Sequence, residues 1–446
     1  MHTLQISDGT TTVSLLAAGA DGLQLKEAGW APSVATARQS DLGGIGAWED
    51  VDEQITVTAK GATGLADLRT VQRLLDQGRR WARGESVAAV TLRARIDNSV
   101  ISGSTALQAA ILGGTVALAE DHLDQLFIGE VREATIRLRR RGAWLDPVLE
   151  SATATTGLSQ IARTATFAAT HHTASPVEVR ATLADGTRRE FAIINAEQAA
   201  DITVVEAESA TSFELSGWST PAVAGARGGS VARLTQGAVP FEDRSVVFNL
   251  ASIPYRTFDV YATVNPTSAT PFDPWTLTAL IGGSNASELQ AGPAVPVFNP
   301  LGTPIYRLVH LGTFTISTTL VFFQLFVERL VGGTVGGTID IDALFFVNNR
   351  PQSGVVVFTT RRGAVTDRMS TVHRPLALPR AVVQVRDTLD AAVAIPSAYS
   401  GDPSFMVPPG NTWNGMFITI DGFQGVAPDG NVTLTAVRQR AYLVLE

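Results

Sequence analysis

The feature that most constrains this chain is a long series of short runs of β-branched and aromatic residues, each ended by a turn containing glycine or proline. The series is densest over residues 204–347, with runs such as 245–248 (SVVF) and 258–261 (FDVY). Runs this short, with regular turns and no helical period between them, are typical of antiparallel β-sandwiches. The sequence therefore predicts a mainly β protein.

One segment departs from this pattern. Over residues 64–83 the apolar side chains fall three or four positions apart, which predicts a single amphipathic helix. The members of its apolar stripe are Leu65, Leu68, Val71, Leu74 and Leu75. Gly84 follows as a stop signal.

Length and charge exclude several classes of protein. A chain of 446 residues is expected to form two to four domains. The formal net charge of −8 argues against sequence-specific nucleic-acid binding and against binding to anionic membranes. Without cysteine there are no disulfides, zinc–thiolate sites or thiol catalysis.

We expect neither export nor a membrane span. The first residues have no basic region followed by an apolar core, so no secretory signal peptide is predicted. The most apolar region, residues 320–331, contains Gln324, Glu328 and Arg329 and follows a strand pattern.

The strand runs predict three units, one of which interrupts another. Residues 1–147 contain strands and the helix, and are predicted to form the first unit. Residues 148–200 supply only three strands, too few to close a sandwich, whereas strand runs resume after residue 351. We therefore predict a discontinuous sandwich of residues 148–200 and 352–446, with residues 201–351 inserted at a loop. Four consecutive domains are the alternative.

The first unit resembles the distal tail proteins of long-tailed bacteriophages. The resemblance rests on the order of Ser7-Asp8-Gly9, Gly29-Trp30-Ala31-Pro32, a strand–helix–strand segment and residues 137–145 (RLRRRGAWL). Residues 408–412 (PPGNT) are also similar to a turn before the last hairpin of C-terminal domains in phage tail proteins. Arg137, Arg139 and Arg141 form a row that faces solvent by default; an acidic partner subunit or phosphate is the alternative.

The resemblance implies a structural virion protein, assembled in the host cytoplasm and located at the tail tip or baseplate. In that class the first domain is a β-barrel flanked by a helix, so the resemblance implies such a barrel over residues 1–147, with the helix at residues 64–83. In that class the barrel assembles into a ring, a hexamer, at the end of the tail tube. Its partners would be copies of itself, the tail tube and tail tip hub proteins, with the outer sandwiches contacting host-surface glycans or docking other tail proteins.

The inserted segment resembles a carbohydrate-binding jelly roll. The opening strand of such modules is matched by Glu206-Ala207-Glu208, and the closing strand is matched by Ile341-Asp342-Ala343-Leu344. The Gly-rich part between them is matched by Ser216-Gly217-Trp218. The resemblance implies a structural calcium ion held between these ends. The candidate ligands are Glu206, Glu208, Asp340 and Asp342, since calcium prefers several hard oxygen ligands. Solvated strand ends are the alternative.

Aromatic residues of the insert are candidates for stacking on sugars. They are Trp275, Trp218, Tyr255 and Tyr306. Trp275 is favoured because it follows a proline-rich stretch, residues 270–274, that is typical of a recognition loop. The alternative for each is a place in the hydrophobic core.

No catalytic motif is present in the sequence, so we expect a protein without enzymatic activity. An acidic stretch at residues 120–124 (EDHLD) is best explained as an exposed loop. The alternative function is an accessory or glycan-binding module of a carbohydrate-active enzyme, and a cell-surface adhesin is a third interpretation.

Overall fold

The structure is a computed structural model and shows a mainly antiparallel β protein with one α-helix in the parts it describes. The described residues are 3–17, 21–35, 37–39, 45–95, 106–118, 131–154, 163–171, 173–183, 190–223, 226–236, 244–253, 257–268, 275–283, 289–297, 306–329, 337–350, 353–359, 368–386, 392–394, 398–419 and 432–442. The predicted fold class is confirmed. Within these ranges, no helix has the length and apolar character that a membrane crossing requires.

The first unit combines ten strands with the helix. The strands are β1 (Thr3–Ser7), β2 (Thr12–Ser14), β3 (Gly22–Leu25), β4 (Ala37–Gln39), β5 (Ile45–Trp48), β6 (Val51–Lys60), β7 (Thr91–Arg95), β8 (Leu107–Leu118), β9 (Val131–Arg140) and β10 (Trp144–Thr153). Helix α1 (Gly61–Ala82) directly follows β6, three residues before its predicted start. Gly61 makes this abrupt strand-to-helix turn with a φ of +64°, a conformation that favours glycine.

The predicted barrel is not closed in the described structure. The sheet of the first unit runs β3-β6-β9-β8-β7-β1-β2, and its two ends meet only at a single bridge between Leu16 and Gln24. The end strands β2 and β3, of three and four residues, pair with β1 and β6 and form no ladder with each other in the described structure. The apolar stripe of α1 packs against the sheet instead, and its Leu68, Val71, Leu74 and Leu75 are buried.

The second unit is a two-sheet sandwich whose strands come from both sides of the insert. Its strands are β11 (Arg163–His171), β12 (Ser175–Leu183), β13 (Glu190–Ala196), β26 (Gly354–Thr359), β27 (Arg368–Val372), β28 (Val382–Arg386), β29 (Ala392–Ala394), β30 (Ala398–Ser400), β31 (Met406–Val407), β32 (Gly410–Thr419) and β33 (Val432–Tyr442). One sheet has the order β11-β32-β13-β26-β30, and β33-β12-β27-β28-β29 faces it. Phe167, Ile193 and Trp413 lie in the core between them.

Strand β33 joins this sandwich to the first unit. It pairs with β10 on one side and with β12 on the other, so a single 14-stranded sheet extends from β2 to β29. The boundary predicted at residues 147 and 148 falls inside β10, at a bulge between Leu145 and Leu149. The first and second units therefore share strands, because β10 and β33 each belong to both of them.

The insert forms a second sandwich. Its strands are β14 (Ile202–Glu206), β15 (Ser212–Glu214), β16 (Trp218–Ser219), β17 (Ala232–Gln236), β18 (Arg244–Ile253), β19 (Thr257–Ser268), β20 (Trp275–Gly283), β21 (Leu289–Ala291), β22 (Val295–Val297), β23 (Arg307–Thr315), β24 (Leu320–Arg329) and β25 (Gly337–Asn348). The sheet that we call the inner sheet has the strand order β16-β17-β25-β19-β23, and β14 also pairs with β25. The sheet that we call the outer sheet has the order β15-β18-β24-β20-β21, and β22 also pairs with β20. Phe258, Phe323 and Phe346 meet in the core between the two sheets.

The insert is attached through adjacent connections and a packed face. Buried Asp201 of the first connection binds the second: its Oδ1 accepts hydrogen bonds of 2.9 Å from Asn348 Nδ2 and from Arg350 Nε. The outward face of the inner sheet packs on the second unit, where Phe345 and Tyr306 share a buried cluster with Ile194. This face of the insert is therefore covered.

Candidate functional site

Three of the four predicted calcium ligands lie together at one end of the insert. Glu206 ends β14, and the register pairs it with Ala343, beside Asp342 in β25. Glu208 lies in a short 3-10 helix, Ala207–Ser209, and not on the strand face expected for it. A turn at Arg227–Gly229 closes over them, and a Cβ on Gly228 would lie 2.4 Å from Glu208 Oε1. This group of Glu206, Glu208 and Asp342 is called the carboxylate cluster below.

In the carboxylate cluster Asp342 is buried and the two glutamates are half-buried, and their charge is only partly neutralised. Arg227 Nε lies 3.1 Å from Glu206 Oε1, and its backbone N–H donates to Asp342 Oδ1 at 2.9 Å. Burial, with smaller contributions from the charges of Glu206 and Glu208, raises the pKa of Asp342 to about 8. Burial also raises the pKa of Glu208, whose buried Oε2 accepts no hydrogen bond in the described structure.

Asp340 lies outside the carboxylate cluster. A bulge in the pairing of β19 with β25 falls at Asp342, so the simple alternation expected for the two aspartates does not hold. Arg233 binds Asp340 in a bidentate ion pair of 2.6 and 2.8 Å, and Tyr306 donates its hydroxyl to Asp340 Oδ2 at 3.0 Å. These contacts satisfy Asp340 without a cation.

The fit of a calcium ion to the carboxylate cluster is partial. Three carboxylates facing one guanidinium, and the uncompensated Glu208 Oε2, are the environment that a hard cation stabilises. Within the described ranges, however, no three acidic or histidine side chains are already arranged as a ligand set. Glu206 and Asp342 would have to exchange contacts with Arg227 for ion contacts.

The aromatic residues predicted to bind sugars are mostly in the interior. Trp275 is fully buried at the start of β20, inside the core between the two sheets, and Tyr306 is buried against the second unit. Trp218 is partly exposed and stacks on Phe213 with ring centroids 5.5 Å apart. Tyr255 lies outside the described residues. Trp275 is not on a recognition loop, because its side chain completes the core.

The outward face of the outer sheet presents a different set of aromatic residues. Phe322 and Phe326 of β24 are partly exposed there, while Phe323 and Leu325 between them point into the core. Gln324 lies between the two rings and donates from Nε2 to Glu214 Oε2 and to Ser245 Oγ, both at 2.8 Å. We call this set of Phe322, Gln324 and Phe326 the outer-sheet face. Its signal in the sequence is the alternation of residues 322–326 (FFQLF).

Comparison with known proteins shows no family and gives only distant structural matches. No family model and no curated protein matches the sequence. Solved structures with similar architecture include the C-terminal CBM6 of LamC, a marine laminarinase of Zobellia galactanivorans, at 15% identity and a TM-score of 0.24, covering 33% of this chain and 99% of that one. Another is the isomalto-dextranase of Arthrobacter globiformis T6 complexed with panose, at 13% identity and a TM-score of 0.24, covering 58% of this chain and 34% of that one.

A third is the VP2 subviral particle of infectious bursal disease virus, at 9% identity and a TM-score of 0.18, covering 66% of this chain and 81% of that one. At these TM-scores the relatives carry no argument about function. The functional interpretation rests on the contacts described above.

Proposed function

We propose that this chain is a non-enzymatic structural component of a phage tail tip or baseplate. In this proposal the first unit assembles into a ring, a hexamer, at the end of the tail tube, and the two nested sandwiches are held outward in the virion. They contact host-surface glycans or dock other tail proteins, including the tail tip hub.

The observation that carries the proposal is the pairing of β33 with both β10 and β12. Because one hydrogen-bonded sheet extends from the first unit into the second, the two units can rotate against each other only by breaking ladder hydrogen bonds. The insert is also held by Asp201 and by a buried apolar face. Such rigid coupling suits a structural component that holds other parts of an assembly in a fixed position.

We place the ring contact at β2. This strand ends the sheet, and an unpaired strand edge favours pairing with another chain. The Leu15 N–H donates to Leu4 O and so points toward β1. Because successive backbone N–H groups of a strand point to opposite edges, the N–H groups of Thr12 and Ser14 point away from β1.

Assembly state tests the proposal. We expect light scattering and electron microscopy of the purified chain, with or without its tube protein, to show a closed ring. Thr12→Pro removes an outward donor and should prevent the ring, whereas Thr12→Ala should keep it. A chain that stays monomeric under all these conditions, including with its tube protein, would contradict the tail-tip proposal.

A glycan-binding module is the second candidate, favoured by the outer-sheet face. Its two partly exposed rings supply the kind of stacking surface on which sugars bind. The buried Gln324 between them uses both Nε2 donors on Glu214 and Ser245 and so fixes this part of the strand. The opposite face of the insert is packed on the second unit, so this face is the one we propose for glycan contact. A monomer that binds polysaccharides would favour this role alone.

A structural calcium ion is part of the proposal for the insert. Glu206, Glu208 and Asp342 would hold it, and its charge would neutralise the carboxylate cluster and tie β14 to β25. Asp340 is left out of the site because Arg233 and Tyr306 already bind it.

A further inference from the structure

A cavity of about 230 Å³ lies at the seam between the first and second units. One wall is the connection from β9 to β10, which includes Arg141 and Ala143, and the other is the loop between β27 and β28, which includes His373 and Arg380. Met406 of β31 completes it. The cavity shares no residue with the carboxylate cluster or the outer-sheet face.

The chemistry of the lining is apolar on most sides and cationic on one. Ala143, Leu145, Pro176, Leu378 and Met406 supply aliphatic surface. Arg141, His373 and Arg380 supply nitrogen donors, and none of the described lining residues is an aspartate or glutamate. A positively charged concavity is notable in a chain whose net charge is −8.

Arg141 is held in place while its charge is only partly compensated. Its Nη1 lies 3.3 Å from Asp50 Oδ1, and its Nη2 donates to the carbonyl of Pro379. Asp50 also lies 3.4 Å from Arg139, so one carboxylate serves two guanidinium groups. The contact with Pro379 fixes the neighbouring loop that carries Arg380.

Of the other two nitrogen-bearing groups, Arg380 is cationic with unused donor capacity, whereas burial lowers the pKa of His373 and keeps its imidazole neutral. His373 Nδ1 lies 3.0 Å from the carbonyl oxygen of Phe405. Because a carbonyl oxygen only accepts hydrogen bonds, Nδ1 is the donor, and this bond orients the ring. In the described structure His373 Nε2 has no hydrogen-bond partner, and the exposed guanidinium of Arg380 has neither a hydrogen bond nor an ion pair.

We infer that this seam cavity binds a carboxylate carried on a short aliphatic body. The guanidinium groups match a carboxylate in charge and in geometry, and the aliphatic walls match the body. A phosphate or sulfate ion would be a poorer ligand, because these strongly hydrated anions gain nothing from apolar walls. A glutamate side chain of a neighbouring polypeptide and a small organic acid share this chemistry. The inference does not depend on the tail-tip role.

Titration of the full chain with hexanoate and with hexanamide tests the inference. The two probes have the same aliphatic body, and only hexanoate is charged. We expect calorimetry or saturation-transfer NMR to show hexanoate binding, with hexanamide about 10-fold weaker or absent. Arg380→Gln should weaken hexanoate binding by about 5-fold or more, whereas Arg69→Gln, the same change at an exposed position of α1, should leave it unaltered.

Two blocked peptides distinguish the sources of the ligand. If acetyl-Leu-Glu-Leu-amide binds more tightly than hexanoate, and its Gln counterpart does not, the carboxylate comes from a polypeptide. If hexanoate binds more tightly than the Glu peptide, the ligand is a small acid. Equal binding of hexanoate and hexanamide, equal losses in Arg380→Gln and Arg69→Gln, or no binding of either hexanoate or the Glu peptide would overturn the inference.

Discussion

Arg140 and Glu53 form an ion pair in which both side chains are fully buried, with 2.8 Å between Arg140 Nε and Glu53 Oε1. Trp30 Nε1 donates to the other carboxylate oxygen of Glu53 at 2.9 Å. The Arg140 guanidinium also lies 4.4 Å from the centre of the Trp144 ring. These contacts explain why the Gly29-Trp30 element and residues 137–145, distant in sequence, appear together in the first unit.

Breaking this pair is expected to destabilise the first unit strongly. Glu53→Gln would leave Arg140 as a buried charge without a counter-ion, which costs about 3–5 kcal/mol. Glu133→Gln is the matched control, because its partner Lys26 is half exposed and such pairs contribute less than about 1 kcal/mol. Thermal unfolding monitored by circular dichroism compares the two. Similar Tm values for both variants would contradict this account of the buried pair.

Asp342 should make the insert less stable as pH rises. Its pKa of about 8 in the folded chain lies above the usual 3.8, so between these values only the folded state binds the proton. The free energy of unfolding therefore falls with increasing pH in this window, by at most about 1.4 kcal/mol per pH unit. Tm measured in chelator from pH 5 to 8 should show this slope.

Asp342→Asn should flatten that slope, because an amide does not titrate. Asp76→Asn, at an exposed position of α1, should retain it. A slope in Asp342→Asn as steep as in the parent chain would assign the pH dependence to another group.

Calcium should stabilise the insert through the carboxylate cluster. A ligand that binds only the folded state adds about 2.7 kcal/mol at 100 times its Kd. We expect calcium to raise the Tm of the parent chain and of Asp340→Ala, since Asp340 is outside the cluster. Asp342→Ala should lower the Tm further in calcium than in chelator, because it removes an ion ligand as well as the acceptor of the Arg227 N–H. Identical shifts with and without chelator would remove calcium from the proposal.

Glycan binding should depend on the outer-sheet face. Stacking contacts of this kind contribute about 0.5–1.5 kcal/mol each, so Phe322→Ala and Phe326→Ala should each weaken binding about 3- to 10-fold. Trp218→Ala tests the candidate taken from sequence, whose ring already packs on Phe213. Affinity electrophoresis against a polysaccharide panel measures all three. Loss of binding in Trp218→Ala alone would move the site away from the outer-sheet face.

The order of apolar and polar residues was enough to predict the helix and strands whose side chains repeat at a fixed period. The stripe of Leu68, Val71, Leu74 and Leu75 is the buried face of α1, and the short runs of β-branched residues are strands. The helix start was missed by three residues, because the turn at Gly61 has no side-chain cap to signal it. The prediction of an exposed loop position for Trp275 was wrong. A tryptophan that follows prolines is typical of a loop, and only its neighbours in the two sheets show that it lies in the core.

The site was predictable only in part, for a similar reason. The ends of β14 and β25 meet because antiparallel pairing of the first and last strands brings Glu206 beside Asp342. Asp340 was grouped with them by its spacing, yet Arg233 and Tyr306 bind it, and both approach from other strands or loops. Spacing along one strand cannot report such neighbours, nor the bulge that interrupts its alternation.

By itself, the sequence determined the strand-rich character and the single helix, because these follow from side-chain periods of two and 3.6 residues. The grouping of acidic residues at the ends of the insert follows only from the resemblance to a carbohydrate-binding jelly roll. Tertiary structure alone decided that β33 joins two units in one sheet, that the first sheet stays open, and that one face of the insert is buried while Phe322 and Phe326 remain accessible. The physical reason is that these properties depend on which distant strands become neighbours, and contacts across a sheet leave no periodic trace in either strand.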